Sequence, residues 1–104
     1  MVLVFNNGMW GTIRAHQEND FPGREIALTF TNPDFAALVT AYGGLGQVVE
    51  KDEDFEESFT RALEFADRER LPALIELRYD PDGIAPGKLL SGIREDALTR
   101  DATK

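Results

Sequence analysis

Three short apolar runs, separated by two stretches with helical periodicity, constrain this chain more than any other feature. The runs are Val2-Leu3-Val4-Phe5, Val48-Val49 and "ALIELRY" over residues 73 to 79. The first is continuously apolar, as expected of a strand covered on both faces. In the last, Ala73, Ile75, Leu77 and Tyr79 share one face, and Glu76 and Arg78 on the other suggest partial exposure near an edge. The first helical stretch is "NPDFAALVTAYGG". Asn32 is placed to cap it, Pro33 suits its first position and Asp34 complements the helix dipole. Phe35, Leu38, Val39 and Tyr42 follow on one apolar face, and Gly43 or Gly44 ends the helix. The second stretch is "DEDFEESFTRALEFADRERLP". Acids crowd its first turn, Asp54 with Glu57 resembles a capping box, and Arg68 and Arg70 sit near its end. Phe55, Phe59, Leu63 and Ala66 form its expected buried stripe, and Pro72 follows the stop. Strand, helix, strand, helix, strand is the order of an α/β fold, a parallel sheet with flanking helices and right-handed crossovers.

The remaining segments are less regular. Residues 9 to 16 suit a short helix or an ordered loop. Pro22-Gly23 reads as a turn, followed by a possible extended segment at Ile26, Leu28 and Phe30. Beyond Tyr79 the chain reads as turn-rich, with at most one short helix around Leu89 to Ile93 and a loose polar end. The expected organisation is a single partial domain over residues 1–104, structured over about 2–94, with 95–104 as a loose tail. A chain that opens directly on a buried strand is expected to begin partway through a larger fold.

Composition narrows the function classes. Of 104 residues, 42% are hydrophobic and 29% charged, which suits a globular domain and not a disordered one. The net charge of -8 argues against nucleic acid and against an anionic membrane surface. With no cysteine there is no disulfide framework, thiolate metal site or cysteine nucleophile, and a reducing cytoplasm is the expected location. "MVLVF" lacks a basic leader and is too short for a signal peptide or a membrane span.

The candidate site residues lie just after the first strand, in "VFNNGMWGTIRAHQE". Ligands of open α/β sheets gather beyond the carboxyl ends of the strands, and Asn6-Asn7 stands at such an end. Two readings are open. An asparagine amide oxygen is a neutral, hard ligand for Mg²⁺ or Ca²⁺, and Gly8 would let a nearby carbonyl turn toward the same ion. Equally, Asn and Gly are ordinary turn formers at a strand end. Met9 and Trp10 suit either a cofactor pocket or plain core. His16, the single histidine, is either an acid–base group near Glu18 or a half-exposed polar residue. Arg24 suits an anionic partner or a surface role. "GGLG" at 43 to 46 follows a helix and precedes a strand, so it is a cap and turn, not a dinucleotide loop. The acidic run 50 to 57 lacks the spaced ligands of a calcium loop and reads as a solvated helix start. No catalytic residue is assigned.

Taken in order, "VFNNGMWGTIRAHQE", "FPGR", "NPDFAALVTAYGG", "DFEESFTRALEFA" and "PALIELRYDPDGIAP" resemble the C-terminal part of thiamine-diphosphate-dependent enzymes of the acetolactate synthase and 2-oxo acid decarboxylase group. The resemblance covers about residues 2 to 94. It implies part of a Rossmann-like, three-layer, thiamine-diphosphate-binding domain. It also implies that Asn7, through its side chain, and Met9, through its carbonyl, are Mg²⁺ ligands, and that Asn6, Asn7, Gly8, Met9 and Trp10 lie at the cofactor. The family's Gly-Asp-Gly, with its aspartate ligand, does not precede Asn6, and its pyrimidine-binding domain with the activating glutamate is not in this chain. The resemblance therefore implies a fragment, inactive alone, whose partners are the remainder of a homo-oligomeric parent enzyme and a small 2-oxo acid. Two departures concern the parent's reaction: Ile13 stands where decarboxylases of the group carry a glutamate, and Ala15-His16 stands where acetolactate synthases often have Gln-Trp. Residues 8 to 31 are expected to be mobile or rearranged without cofactor. A reading from another class is a non-catalytic α/β module that self-associates through an open apolar sheet edge.

Overall fold

The computed structural model describes residues 1–104. In chain order its elements are β1 (Val2–Asn6), α1 (Gly11–Asp20), α2 (Phe35–Ala41), β2 (Leu45–Val49), a 3-10 turn (Asp52–Asp54), α3 (Phe55–Glu69), β3 (Ala73–Arg78), β4 (Gly83–Ala85), β5 (Lys88–Leu89) and α4 (Leu90–Ala102). They form two compact units where one was expected: residues 1–6 with 32–79, and residues 7–31 with 80–104. No helix is long and apolar enough to cross a membrane.

The first unit is the expected α/β layer, a parallel sheet in the order β1-β3-β2 with flanking helices. β3 is the central strand and not an edge. Its Glu76 is 1% exposed, so the alternation in "ALIELRY" reports a buried carboxylate and not a wet face. Val49, Ala62, Ala73 and Ile75 make the core, with Phe55, Phe59, Phe65, Ala66 and Leu77 packed around them. The stripe of α3 thus runs through Ala62; Leu63, expected inside, is exposed. The acidic start of α3 also differs from expectation. The 3-10 turn leads straight into the helix, and Asp54, already helical, makes no side-chain cap.

On α2 the cap is Asp34, not Asn32: its carboxylate accepts the Ala37 N–H at 2.9 Å. The helix ends as expected at the glycines, with Gly43 N–H donating to the Thr40 carbonyl and Gly44 N–H to that of Val39. Val39 is its buried residue, whereas Leu38 and Tyr42, expected on the same face, are exposed. β1 departs most from its sequence. Its continuous apolar run suggests two covered faces, yet Val2, Leu3 and Phe5 are exposed. The reason is positional: β1 is an edge strand, and α2 and α3 pack on β2 and β3.

The second unit pairs α1 with α4 and carries the short antiparallel hairpin β4-β5. The Pro22-Gly23 turn is present, but residues 25 to 31 form no strand; a single bridge joins Met9 to Thr29. Leu28, Leu90 and Ala97 are buried. α4 replaces the expected short helix and loose tail with an ordered helix reaching Ala102. Its start is held from outside the helix, because the Asp82 carboxylate accepts both the N–H and the hydroxyl of Ser91. Those bonds hold the Asp82 carboxyl below its ordinary range. Arg100 of α4 donates to the carbonyl of Asn19 at 2.6 Å, satisfying the C-terminal end of α1.

Candidate functional site

Asn6 closes β1 in the first unit, in register with Arg78. Its Nδ2 donates to Glu76 Oε1 at 2.8 Å, and its Oδ1 accepts from Asn32 Nδ2 at 2.8 Å. Glu76 also accepts from Arg78 Nε at 3.0 Å, and Arg78 Nη1 reaches Glu50 at 3.0 Å. The bond to Glu50, with the charge of Glu76, raises the Arg78 pKa further, so this guanidinium stays charged. A buried carboxylate is stable only with such partners. Asn6 therefore uses both ends of its amide inside a polar network.

The chain continues at Asn7 into the second unit. Gly8 adopts φ 70°, a left-handed conformation that glycine takes without strain. The sharp turn brings the Met9 N–H to Asn7 Oδ1 at 3.2 Å. Trp10 N–H then donates to the Leu28 carbonyl at 3.0 Å and Phe30 N–H to that of Gly8 at 3.5 Å. These two bonds flank Met9 and leave its carbonyl out of the ladder. Gly11, which sequence reasoning passed over, matters by its lack of a side chain: a Cβ there would lie 2.8 Å from Asn7 Nδ2. Trp10 is exposed, with its ring centroid 5.0 Å from that of Phe30, so it is not ordinary core.

The chemistry of this corner suits a hard cation. The Asn7 amide oxygen has a second lone pair beyond the one facing Met9, and the Met9 carbonyl is a further neutral oxygen. Mg²⁺ takes few protein ligands and completes its shell with phosphate oxygens and water, so two neutral oxygens form a fitting partial set. No group of three or more His, Cys, Asp or Glu is placed to hold a metal elsewhere.

A second polar centre, unforeseen in the sequence, lies under α1. Glu18 is 1% exposed and is held by Arg94, whose Nε donates to Oε2 at 2.7 Å and whose Nη2 donates to Oε1. Gly23 N–H donates to the same carboxylate at 3.0 Å, and Arg94 also reaches Glu25 at 3.0 Å. The Arg94 contact outweighs burial and draws the Glu18 pKa down to about 2. A glutamate and an arginine 76 positions apart carry no sequence signal of pairing. The apolar-poor spacing of α1 was the available hint that its inner face is polar. His16, Arg24 and the acids of the 3-10 turn are exposed, and none joins either centre.

Open parallel α/β sheets commonly bind ligands beyond the carboxyl ends of their strands. The family model described as thiamine pyrophosphate enzyme, C-terminal TPP binding domain, matches residues 1–77. The chain belongs to this family of thiamine diphosphate-binding domains. It is also 26% identical over 98 residues to a sulfoacetaldehyde acetyltransferase of Castellaniella defragrans, covering 94% of this chain. The chain spans 15% of the length of that curated relative.

Proposed function

We propose that this chain supplies part of the thiamine diphosphate–Mg²⁺ site of an enzyme acting on 2-oxo acids, acetolactate synthase-like or decarboxylase-like in type. Asn7 holds the metal through its side-chain oxygen and Met9 through its carbonyl. Gly8 makes the turn, Asn6 fixes the end of β1 and Trp10 lies beside the cofactor. When bound, thiamine diphosphate supplies the carbon–carbon bond chemistry, and the chain's own residues hold and orient it. The observation that carries this reading is the sharp Asn7-Gly8-Met9 turn, which sets the Asn7 side-chain oxygen beside Met9, in a chain whose family is described as binding this cofactor.

The relative's name adds acetyl transfer and a small substrate with a sulfonate to the chemistry within reach of the parent. The other half of the site comes from the remainder of a cytoplasmic homo-oligomer, and the chain alone is without activity. Calorimetric titration with thiamine diphosphate and Mg²⁺ tests the proposal. Saturable binding, lost in Asn7→Ala, supports it; binding that Asn7→Ala leaves unchanged, or no binding at all, overturns the metal assignment for this chain.

A second reading, self-association, is favoured by β1. Its outer edge has no strand partner, and Phe5 on it is 69% exposed.

A further inference from the structure

We propose that Arg14 is an oxyanion-binding residue, whose guanidinium takes the carboxylate or sulfonate of a small substrate. The inference rests on the reading above for the identity of that substrate and on unused hydrogen-bond capacity for the site itself. Arg14 lies on α1 with its side chain only 22% exposed. Its Nη1 faces Met9 Sδ at 3.5 Å, a weak acceptor. Its Nε lies 3.5 Å from Glu18 Oε1, close enough for charge attraction, yet it is buried without a hydrogen-bond partner. No protein acceptor takes Nη2.

The arginines of α4 differ. Arg94 commits Nε and Nη2 to Glu18 and Glu25, and Arg100 commits both terminal nitrogens to Asn19. Glu18 takes its hydrogen bonds from Arg94 and from the Gly23 N–H, and its Oε1 faces Arg14 Nε at 3.5 Å. It therefore holds the Arg14 charge in place through Nε and leaves the outer nitrogens of the guanidinium uncommitted to any carboxylate. A partly buried guanidinium with idle N–H groups is costly unless an acceptor arrives, and a carboxylate or sulfonate offers paired oxygens matched to its fork. Met9 ties the two features together: its sulfur touches Arg14, and its N–H closes on Asn7, the proposed metal ligand. The idle donors thus stand beside the corner where the cofactor is proposed to bind.

The test uses the chain without thiamine diphosphate or Mg²⁺, so its outcome is independent of the metal assignment. The Arg14 Nε–H and Met9 methyl resonances are followed by NMR during titration with pyruvate, methanesulfonate, pyrophosphate and acetone, the last a neutral control. Saturable shifts with pyruvate and methanesulfonate, and none with acetone, are expected. Arg14→Gln should weaken binding by about tenfold or more, Arg14→Lys should retain part of it, and the exposed Arg24→Gln should leave it unchanged. A response to pyrophosphate alone would overturn the substrate assignment and place a diphosphate there instead. No saturable response to any oxyanion would overturn the proposal, as would a response that survives Arg14→Gln in a folded chain. If Arg14→Gln does not fold, the unmodified chain's titration still decides.

Discussion

Ile75 and Glu18 are both almost wholly buried, one in each unit, and they are kept there by opposite means. Ile75 sits among Val49, Ala62 and Ala73, held by non-directional apolar contact. Glu18 sits under two arginines and a backbone N–H, each of which must point at it. Apolar packing tolerates approximate partners, whereas a buried carboxylate tolerates none missing. The first unit is therefore mainly an apolar scaffold, with one buried carboxylate, Glu76, tied off by Asn6 and Arg78. The second is a latch of long-range polar contacts, and it carries the residues proposed to meet metal and substrate.

The largest expected break comes from Ile75→Ala. Deleting a buried side chain on the central strand should cost about 4 kcal/mol through lost transfer energy and the cavity left behind. Urea unfolding followed by circular dichroism measures it. A loss below about 1 kcal/mol would mean that the scaffold does not depend on this core.

Glu18→Ala is the matching break in the second unit. Breaking a fully buried pair costs about 3–5 kcal/mol. Arg94 keeps 34% of its side chain exposed, so solvent can take over part of its charge and about 2 kcal/mol is expected here. Protonation should sharpen the contrast. Arg94 draws Glu18 from 4.5 down to about 2, so the folded value lies below the unfolded one. Its stabilisation is complete above about pH 5 and is lost as the pH falls toward 2. Amide protection at pH 3 should therefore fall in α1 and α4 more than in α3, which packs on the sheet through Phe55, Phe59, Ala62 and Ala66. Equal loss in both units would break the distinction drawn between them.

That difference also explains what the sequence could reveal. The three-strand parallel layer is legible because periodicity reports burial, and the C-terminal end of α2 is legible because glycine has a conformational reason to stand there. Leu63 and Ala62 were confused because a stripe read by residue type favours the larger neighbour. The edge position of β1 and the central position of β3 were misread for one reason: hydropathy reports what a strand is suited to cover, not which strands neighbour it. α4 runs well past the short helix expected around Leu89 to Ile93, with Leu90, Ile93 and Ala97 at helical spacing, and its anchors, Asp82 and Asn19, lie outside it. For the Asn6-Asn7 pair, residue chemistry leaves a turn reading and a ligand reading open. Residue chemistry alone could not divide their roles, Asn6 into the Glu76 network and Asn7 toward Met9.

A smaller effect tests the scaffold at one helix end. Asp34→Ala removes the acceptor for the Ala37 N–H and should cost about 1 kcal/mol, whereas Asn32→Ala should leave the helix cap intact. A larger loss of α2 helicity in Asn32→Ala than in Asp34→Ala would reverse the assignment of the cap.

The smallest expected change in stability carries the sharpest test of the open edge. Phe5 is 69% exposed, and on the face it shares with Leu77 the helix α3 packs on β3 and β2. Replacing it by lysine removes little buried area, so Phe5→Lys should change unfolding free energy by no more than about 0.5 kcal/mol. A charge on an edge strand opposes pairing with another strand, because its ammonium would have to be desolvated against the incoming chain. If the edge drives self-association, sedimentation velocity should show concentration-dependent dimers of the unmodified chain and monomers of Phe5→Lys at equal stability. Monomers in both cases would remove the self-association reading. Dimers in both would place the contact elsewhere, because no strand pairing through β1 should survive that charge unchanged.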